Sequence, residues 1–528
     1  MALNLNIPTL KDKPLIVADT RPQKIALSLL NLDKQNPLET AAYLQTELEI
    51  LNRQKVSVNN RIQALDAYRP LLISSAQALA EDYDNATLPL YDKAKLAASA
   101  TESLWLELGY GYKLALVDLQ NQFIKLGTDK SSAYVIQRAI DALAEYALVC
   151  YQTYVRPPDF VWSDLHQLYF CAVQLGIQHL NIQNSKPVAS DKLNSNSVVS
   201  IENTYKHALL MSLADPQHLA QKDVRLIANL LAIYVADAEI SAVTPLTSYS
   251  GAFIISLNSN KPPVPYSKLK EFPDADNDIL LQTMTLVRNI HQTLNNLKNG
   301  QLPKDGSIPA DANCIDYIEL MTYLIKHWGV IPKRIFNRSQ KNGEIELVTG
   351  IAAIHQHSDL SKNLTNVAPI DSKRFDIAAH KVMPSRWQIL NISASGISIR
   401  RHPTADKNIK IGSLLGFKTK NETNWSLGLV RWANCGSKDR LDIGVQLIAP
   451  QAQSVIARID ERDSDEMVLL LPEILAVKQA MTIIAPKGTY QPAQQLTLKY
   501  NNISQHIMLT KLIERSSQFE RMQFSIIS

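Results

Sequence analysis

The 528-residue chain has only four cysteines, and they are spread widely, at Cys150, Cys171, Cys314 and Cys435. None belongs to a CxxC pair, and no histidine cluster accompanies them. The sequence therefore indicates neither a zinc site nor a framework of disulfide bonds. We expect reduced thiols in a reducing compartment.

The chain also lacks an excess of one charge and lacks long apolar runs. Lysine and arginine number 54 against 50 acidic residues, a balance that does not indicate nucleic-acid binding. No window approaches the ~18 uninterrupted apolar residues of a membrane span, and the first twenty residues lack the basic start and apolar run of a signal peptide. We expect a cytoplasmic protein without a membrane span.

Motifs that carry catalysis are missing as well. The sequence has no GxSxG elbow, no Walker loop and neither the GG(D/E)EF nor the EAL signature. His355 and His357 flank Gln356, but no nearby cluster of carboxylates or cysteines completes a metal site. We expect a protein that is not an enzyme and that holds no metal or cofactor.

Most of the first 329 residues show apolar side chains at spacings of three and four, which predicts amphipathic helices. The stretch 251–257 is strand-like and is followed by proline-rich residues. We interpret 1–329 as a helical scaffold or interaction region, with a further division near 240–265 left open. The segments with helical spacing are 38–51, 62–83, 91–123, 131–155, 162–175, 203–214, 221–238, 277–297 and 314–328.

After residue 330 the pattern changes to short β-branched runs separated by polar loops. Six strands at hairpin spacing predict a six-stranded antiparallel β-barrel over 330–450. Further short apolar runs predict a small β unit over 451–528. The fold class is therefore α+β and multidomain. The six expected strands of the barrel are 345–355, 387–392, 396–401, 414–419, 425–433 and 443–448.

Five residues in this barrel region indicate a binding site. Arg334 and Arg338 stand four apart near its start, whereas Asn391, Ser393 and Gly396 surround a turn between two strands. A guanidinium fork can bond guanine O6 and N7, stack on a base or clamp a phosphate. Asn391 and Ser393 are two apart on a strand and share one face, and Gly396 permits a tight turn and a close backbone approach. The set predicts a pocket for a guanine nucleotide with phosphates.

The stretches 386–399, 411–417, 428–432 and 442–447 resemble the PilZ domain, a family that binds the bacterial second messenger cyclic di-GMP. Its motifs are an RxxxR that enters the first strand and a (D/N)xSxxG at the second. Arg334 with Arg338, and Asn391 with Ser393 and Gly396, match them. The resemblance covers roughly residues 330–450 and implies a small β-barrel with cyclic di-GMP as ligand.

Other interpretations of these motifs stay open. A second RxxxR at Arg458 and Arg462 shows that arginine spacing alone proves little; we expect it on a solvated helical or loop surface. NxSxxG also fits a hairpin turn with local side-chain capping. Arg374 and Arg386 are weaker candidates, because neither has an arginine four residues away.

The spacing between the two motifs departs from the family pattern. Arg338 precedes Asn391 by 53 residues, so the polar segment 356–385 must be an insertion after the expected strand 345–355. Whether this insertion permits ligand binding is left open by the sequence.

These observations predict a cyclic di-GMP receptor that relays the level of the messenger to an unknown protein partner through its helical region. The sequence does not determine whether the chain forms a homo-oligomer. The alternative is a nucleotide-independent interaction scaffold with a degenerate PilZ-like barrel.

Overall fold

A computed structural model describes most of the chain, in two units. One unit contains Met1–Ala86 and Asp92–Lys333, and the other contains Thr87–Tyr91 and Arg334–Ser528. The described residues are 3–32, 35–121, 128–182, 199–303, 308–309, 314–330, 337–360, 382–405, 408–436, 439–459, 464–473, 479–500, 503–516 and 518–527.

The first unit is mainly helical, and most of its helices follow the predicted periodic segments. The expected helix 277–297 is wrong at its start, because Asp278–Gln282 is a strand and the helix begins at Met284. The first helix, Pro22–Leu30, lies outside the predicted segments. The bounds of the helices are α1 (Pro22–Leu30), α2 (Pro37–Asn52), α3 (Val58–Tyr83), α4 (Asp92–Gln120), α5 (Thr128–Gln152), α6 (Asp159–Gln174), α7 (Ile201–Leu213), α8 (Gln221–Tyr234), α9 (Met284–Lys298) and α10 (Cys314–Gly329).

Local capping explains where several of these helices begin and end. Asn36 accepts a hydrogen bond from the backbone N–H of Glu39 at the start of α2, and Ser200 caps α7 in the same way. The buried guanidinium of Arg61 donates to the carbonyl of Leu51 at 3.1 Å, beside the end of α2. A cation at a helix C-terminus is favoured by the helix dipole.

A buried ion pair ties the N-terminal segment to the helices. Lys113 of α4 lies 2.6 Å from Asp164 of α6, and their side chains are 0% and 2% exposed. Lys113 Nζ also donates to the carbonyl of Asn6 at 2.6 Å, and the N–H of Asn6 donates to Asp164 at 3.1 Å. These extra hydrogen bonds offset part of the cost of burying two charges.

The first unit also contains a four-stranded antiparallel sheet. Its strands are β1 (Glu239–Ala242), β2 (Ala252–Ser256), β3 (Val264–Pro265) and β4 (Asp278–Gln282), in the order β1-β4-β2-β3. The strand-like stretch at 251–257 is therefore β2, and neighbouring segments complete its sheet.

The second unit begins with a closed six-stranded barrel. Its order is β10-β7-β6-β5-β8-β9, and every pair is antiparallel. The strands are β5 (Ser339–Thr349), β6 (Ser385–Ser393), β7 (Gly396–Arg401), β8 (Leu414–Thr419), β9 (Ser426–Cys435) and β10 (Leu441–Ala449).

The expected strand 345–355 is wrong in its second half. β5 ends at Thr349, Gly350 follows with a φ of +87°, and Ile351–Leu360 is a helix, α11. Glycine accepts this left-handed conformation, which terminates the strand. The expected loop 356–385 therefore begins with a helical turn, and its residues 361–381 lie outside the described part of the chain.

The C-terminal β unit is a second closed six-stranded barrel, with the order β11-β12-β13-β16-β15-β14. Its first strand contains Arg458, so the expectation of a helical or loop surface there is wrong; Arg462 lies outside the described residues. The strands are β11 (Gln453–Ile459), β12 (Ser464–Leu471), β13 (Thr482–Pro486), β14 (Gln495–Tyr500), β15 (Ile503–Arg515) and β16 (Phe519–Ile526).

The two barrels share one apolar core, into which α11 inserts Ala353 and Ile354. Leu427 of the first barrel and Phe519 of the second are both 0% exposed within it. The remaining members are Val348, Leu414, Trp425, Leu429, Ile448, Ala449, Leu469, Leu471 and Ile484.

The α+β architecture with a helical N-terminal region and two β units is confirmed. Among the helices in the described ranges, none combines the length and the apolar character needed to cross a lipid bilayer.

Candidate ligand-binding site on the first barrel

The pairing of β5 with β6 brings the two sequence motifs together. Gln340 lies opposite Asn391, and Ser339 lies opposite Ile392. Arg338 directly precedes β5, and continuing this register by one residue sets it at the level of Ser393. Because side chains alternate along a strand, Arg338 and Gln340 lie on the same face as Asn391 and Ser393.

The predicted turn is a two-residue hairpin between β6 and β7. Ser393 pairs with Gly396, and the Ser393 hydroxyl donates to the carbonyl of Gly396 at 3.2 Å. Ala394 and Ser395 at the tip are exposed. The carbonyl of Ser395 accepts a hydrogen bond from the N–H of Leu447 at 2.9 Å, which anchors the hairpin to β10.

Gly396 is required by close packing. A Cβ on Gly396 would overlap the carbonyl oxygen of Val445 and would lie 3.1 Å from Cα of Gln446. The hairpin can therefore lie flat against β10 only with glycine here. The close approach at Gly396 is therefore made by the backbone of β10.

The outer face continues from the hairpin across β7, β10 and β9. Asn391 pairs with Ser398, Ser398 with Gly444, and Gly444 with Trp432. A Cβ on Gly444 would overlap the indole of Trp432, so this ring lies across the glycine. The alternation of side chains along β9 and β10 is a sequence signal that places Trp432 and Gly444 on the outer face. From the sequence, we used these two residues only as evidence for the barrel fold.

A cluster of two arginines and one carboxylate lies on the same face. Arg400 bonds Asp442 through two nitrogens, at 2.6 and 3.0 Å, and Arg440 bonds Asp442 at 2.6 Å. Burial by itself would raise the pKa of Asp442, but hydrogen bonds from Arg400 and Arg440 outweigh burial and lower the pKa. The cluster keeps one net positive charge on a face that also presents Arg338.

The remaining candidate arginines have different locations. Arg334 and Arg374 lie outside the described residues. Arg386 is exposed and is the second residue of β6, at the end of that strand remote from Asn391. Of the predicted site residues, the structure brings together Arg338, Asn391, Ser393 and Gly396.

The chemistry of this face suits an anionic ligand with planar groups. An exposed guanidinium, an amide and a hydroxyl offer directed hydrogen bonds to phosphate or base edges. An indole face offers a stacking surface. The space beside Gly396 and Gly444 is filled by the carbonyl of Val445 and by the indole of Trp432, so the two glycines shape this face through close packing.

Comparisons with known proteins match three successive parts of the chain. Residues 23–245 match the model of the N-terminal domain of the cyclic-di-GMP receptor FimW. Residues 252–376 and 369–454 match its middle PilZ domain, and residues 454–527 match the FimW C-terminal beta-barrel domain. The match to the middle domain begins at 252 and so includes β2 to β4, α9 and α10.

A curated protein of Pseudomonas aeruginosa, named cyclic-di-GMP receptor FimW, is also similar to this chain. The two are 23% identical over 584 residues, which cover 99% of this chain and 93% of that protein.

The barrel with the NxSxxG hairpin is a PilZ domain, which makes the chain a PilZ-domain protein. The three matched models are successive domains of one family and together extend from residue 23 to residue 527. The chain belongs to the FimW family.

Replacing Gly396 tests whether the hairpin depends on close packing. Gly396→Ala should lower the free energy of unfolding by about 1–3 kcal/mol, because the added methyl group must displace the backbone of β10. Gly343→Ala is the matched control: it also lies in the barrel, and its Cβ would meet only Ile389 Cδ1, at 3.4 Å. Chemical denaturation of both variants measures the difference. Equal losses would contradict the packing argument.

The pKa of Asp442 predicts a dependence of stability on pH. A carboxyl whose folded pKa is lowered stabilises the fold above its unfolded pKa of about 4, and this contribution disappears as pH falls through the folded pKa. Asp442→Asn should therefore cost roughly 1–2 kcal/mol at pH 7, and its difference from wild type should shrink below about pH 4.

Chemical denaturation at several pH values between neutral and acidic conditions measures this difference. Glu344→Gln, on the exposed part of β5, serves as the control for removing one carboxylate. A difference for Asp442→Asn that stays constant with pH would contradict the prediction.

Proposed function

We propose that this protein is a receptor for cyclic di-GMP, which binds on the outer face of its PilZ domain. The observation that carries the proposal is the register of β5 on β6, in which Arg338 reaches the level of Ser393 although 53 residues separate Arg338 from Asn391. The name of the similar Pseudomonas aeruginosa protein, a cyclic-di-GMP receptor, supports the same ligand.

Each motif residue receives a role from its chemistry. The guanidinium groups of Arg334 and Arg338 bind phosphate oxygens or the O6 and N7 edge of guanine. Asn391 and Ser393 complete the hydrogen bonds from the neighbouring strand. Gly396 contributes by letting the hairpin lie close against β10, which fixes the position of Ser393.

The proposal includes a relay from the PilZ domain to a protein partner through the helical region. Residues 334–338 follow directly on the helical unit in the sequence, so a ligand that holds Arg334 and Arg338 acts on the segment joining the two units. The protein acts in this scheme by binding and has no catalytic role. The four cysteines all lie in described ranges and are not joined by disulfide bonds, which supports a cytoplasmic location.

Ligand binding can be tested by calorimetric titration with cyclic di-GMP. We expect binding by the full chain and a dissociation constant about 10–100-fold higher for Arg338→Ala, since a charge-assisted hydrogen bond contributes about 1.5–3 kcal/mol. The double variant Arg334→Ala, Arg338→Ala should bind more weakly still.

Arg386→Ala is the matched control for this titration, because it removes the same exposed group from the same barrel at the remote end of β6. Cyclic di-AMP controls for base recognition, since adenine offers an amino group where guanine offers O6. If the full chain gives no heat with cyclic di-GMP, the receptor proposal is wrong and the alternative of a nucleotide-independent scaffold is favoured.

The relay can be tested by affinity capture of partners on the full chain with and without cyclic di-GMP. Retention of at least one partner should change with the ligand on the wild-type chain and stay unchanged on the double variant Arg334→Ala, Arg338→Ala. Ligand-independent retention of every partner by the wild-type chain would argue against a relay and for the scaffold.

A further inference from the structure

A third arginine, Arg431, lies beside the proposed ligand face and does not belong to either sequence motif. In the pairing of β9 with β10, Val430 lies opposite Val445 and Trp432 lies opposite Gly444, which leaves Arg431 as an extra residue in a β-bulge. Bulges redirect side chains and occur often beside functional sites.

Arg431 connects the two barrels through its guanidinium group. Its Nε donates to Gln446 Oε1 at 2.6 Å, and its Nη2 lies 2.5 Å from Oε1 of Glu514 on β15 of the second barrel. The side chains of Arg431 and Glu514 are 43% and 20% exposed. Both partners can therefore be reached by a ligand from solvent.

Glu514 is also held at an irregular point of its strand. The pairing of β15 with β16 shifts between Leu512 and Glu514, and Glu514 lies opposite Arg521. Arg521 is 7% exposed, and its Nη2 has no hydrogen-bond partner among the described residues. Glu514 therefore lies between an exposed arginine of the PilZ domain and a buried arginine of its own barrel.

Strand register connects Arg431 to the motif residues. At one level of the sheet, Arg338 reaches Ser393, Ser393 pairs with Gly396, and Gly396 pairs with Gln446. The side chain of Gln446 holds Arg431. Successive strands lie about 4.8 Å apart, so Arg338 and Arg431 stand at the two ends of a row roughly 20 Å wide.

Long arginine side chains at both ends of such a row can reach toward a ligand lying over its middle. The middle consists of Ser393, Gly396 and the exposed hairpin tip, with no bulky side chain from Gly396. A ligand with two phosphates and two bases offers an anionic group to each end of the row. Arg431 uses one nitrogen on Gln446 and another on Glu514, and a phosphate would compete with Glu514 for the second.

We propose that Arg431 is a further ligand-binding arginine, and that Glu514 of the second barrel competes with the ligand phosphate for it. This inference rests on the proposed binding of cyclic di-GMP. Without ligand, the carboxylate of Glu514 pairs with Arg431 and occupies the position that a ligand phosphate would take. Ligand binding exchanges this ion pair for an arginine–phosphate pair and thereby releases Glu514 on the second barrel.

Substitutions on the two sides of this ion pair distinguish competition from a structural role. Glu514→Gln and Arg431→Gln both break the pair, so a purely structural contact predicts similar effects of the two. Competition predicts opposite effects on affinity for cyclic di-GMP. Glu514→Gln should lower the dissociation constant about two- to fivefold, whereas Arg431→Gln should raise it about tenfold or more.

The measurement is calorimetric titration of the full chain, with thermal melting of each variant in parallel. Lys511→Gln, an exposed charge on the same strand β15, is the control for altered net charge. Arg431→Lys keeps the charge but loses the planar fork, so it should recover only part of the affinity. Unchanged or equally reduced affinity in Glu514→Gln and Arg431→Gln would overturn the inference.

Hydrogen exchange on the wild-type chain gives a second readout that needs no variant. Addition of cyclic di-GMP should increase amide exchange in β15 near Glu514, because the release of Arg431 removes a contact there. The ligand could instead slow amide exchange at the β6–β7 hairpin and leave amide exchange in β15 unchanged. That result would contradict the proposal that Arg431 leaves Glu514 for the phosphate. If wild type binds no cyclic di-GMP, the proposed function itself fails; if it binds but these differences are missing, only the role of Arg431 and Glu514 fails.

Discussion

The register of β5 against β6 is the constraint on which the candidate site depends. A shift by one residue would move Arg338 and Gln340 to the inner face and would expose Ile345 and Leu347, each of which is 2% exposed. Ile345 pairs with Trp387, which is 1% exposed. Burial of these interior side chains therefore determines which polar groups meet outside. The core of the barrel sets the geometry of the candidate ligand face.

Sequence periodicity predicted the strands of the first barrel well, because each is long enough to show alternation between an apolar and a polar face. It could not predict the pairing across 53 residues, since a loop of any length is compatible with many registers. The strand expected to continue to His355 was wrong because one glycine with a left-handed φ ends it. Arg458 was expected on a helical or loop surface but lies in the strand β11. The motif residues could be identified from the sequence. Arg431 could not, because the direction of its side chain depends on a bulge in β9.

Contacts with neighbouring strands explain why glycine occupies two positions of the PilZ domain. Gly396 admits the carbonyl of Val445, and Gly444 admits the indole of Trp432. Both remove side chains from the outer face and bring adjacent strands or rings close. A flat surface of this kind, bordered by Arg338 at one side and by the Arg400–Asp442–Arg440 cluster near the other, favours a planar anion over a spherical ion, because stacking and directed hydrogen bonds act together.

The shared core of the two barrels limits how a ligand could influence the second one. Leu427, Leu469 and Phe519 are fully buried across their junction, and a closely packed interior does not deform continuously. Reorientation of one barrel against the other would expose this core and cost several kcal/mol of burial. A surface ion pair, by contrast, contributes at most about 1 kcal/mol. Exchange of Arg431 between Glu514 and a phosphate is therefore the change that a ligand can most readily produce on the second barrel.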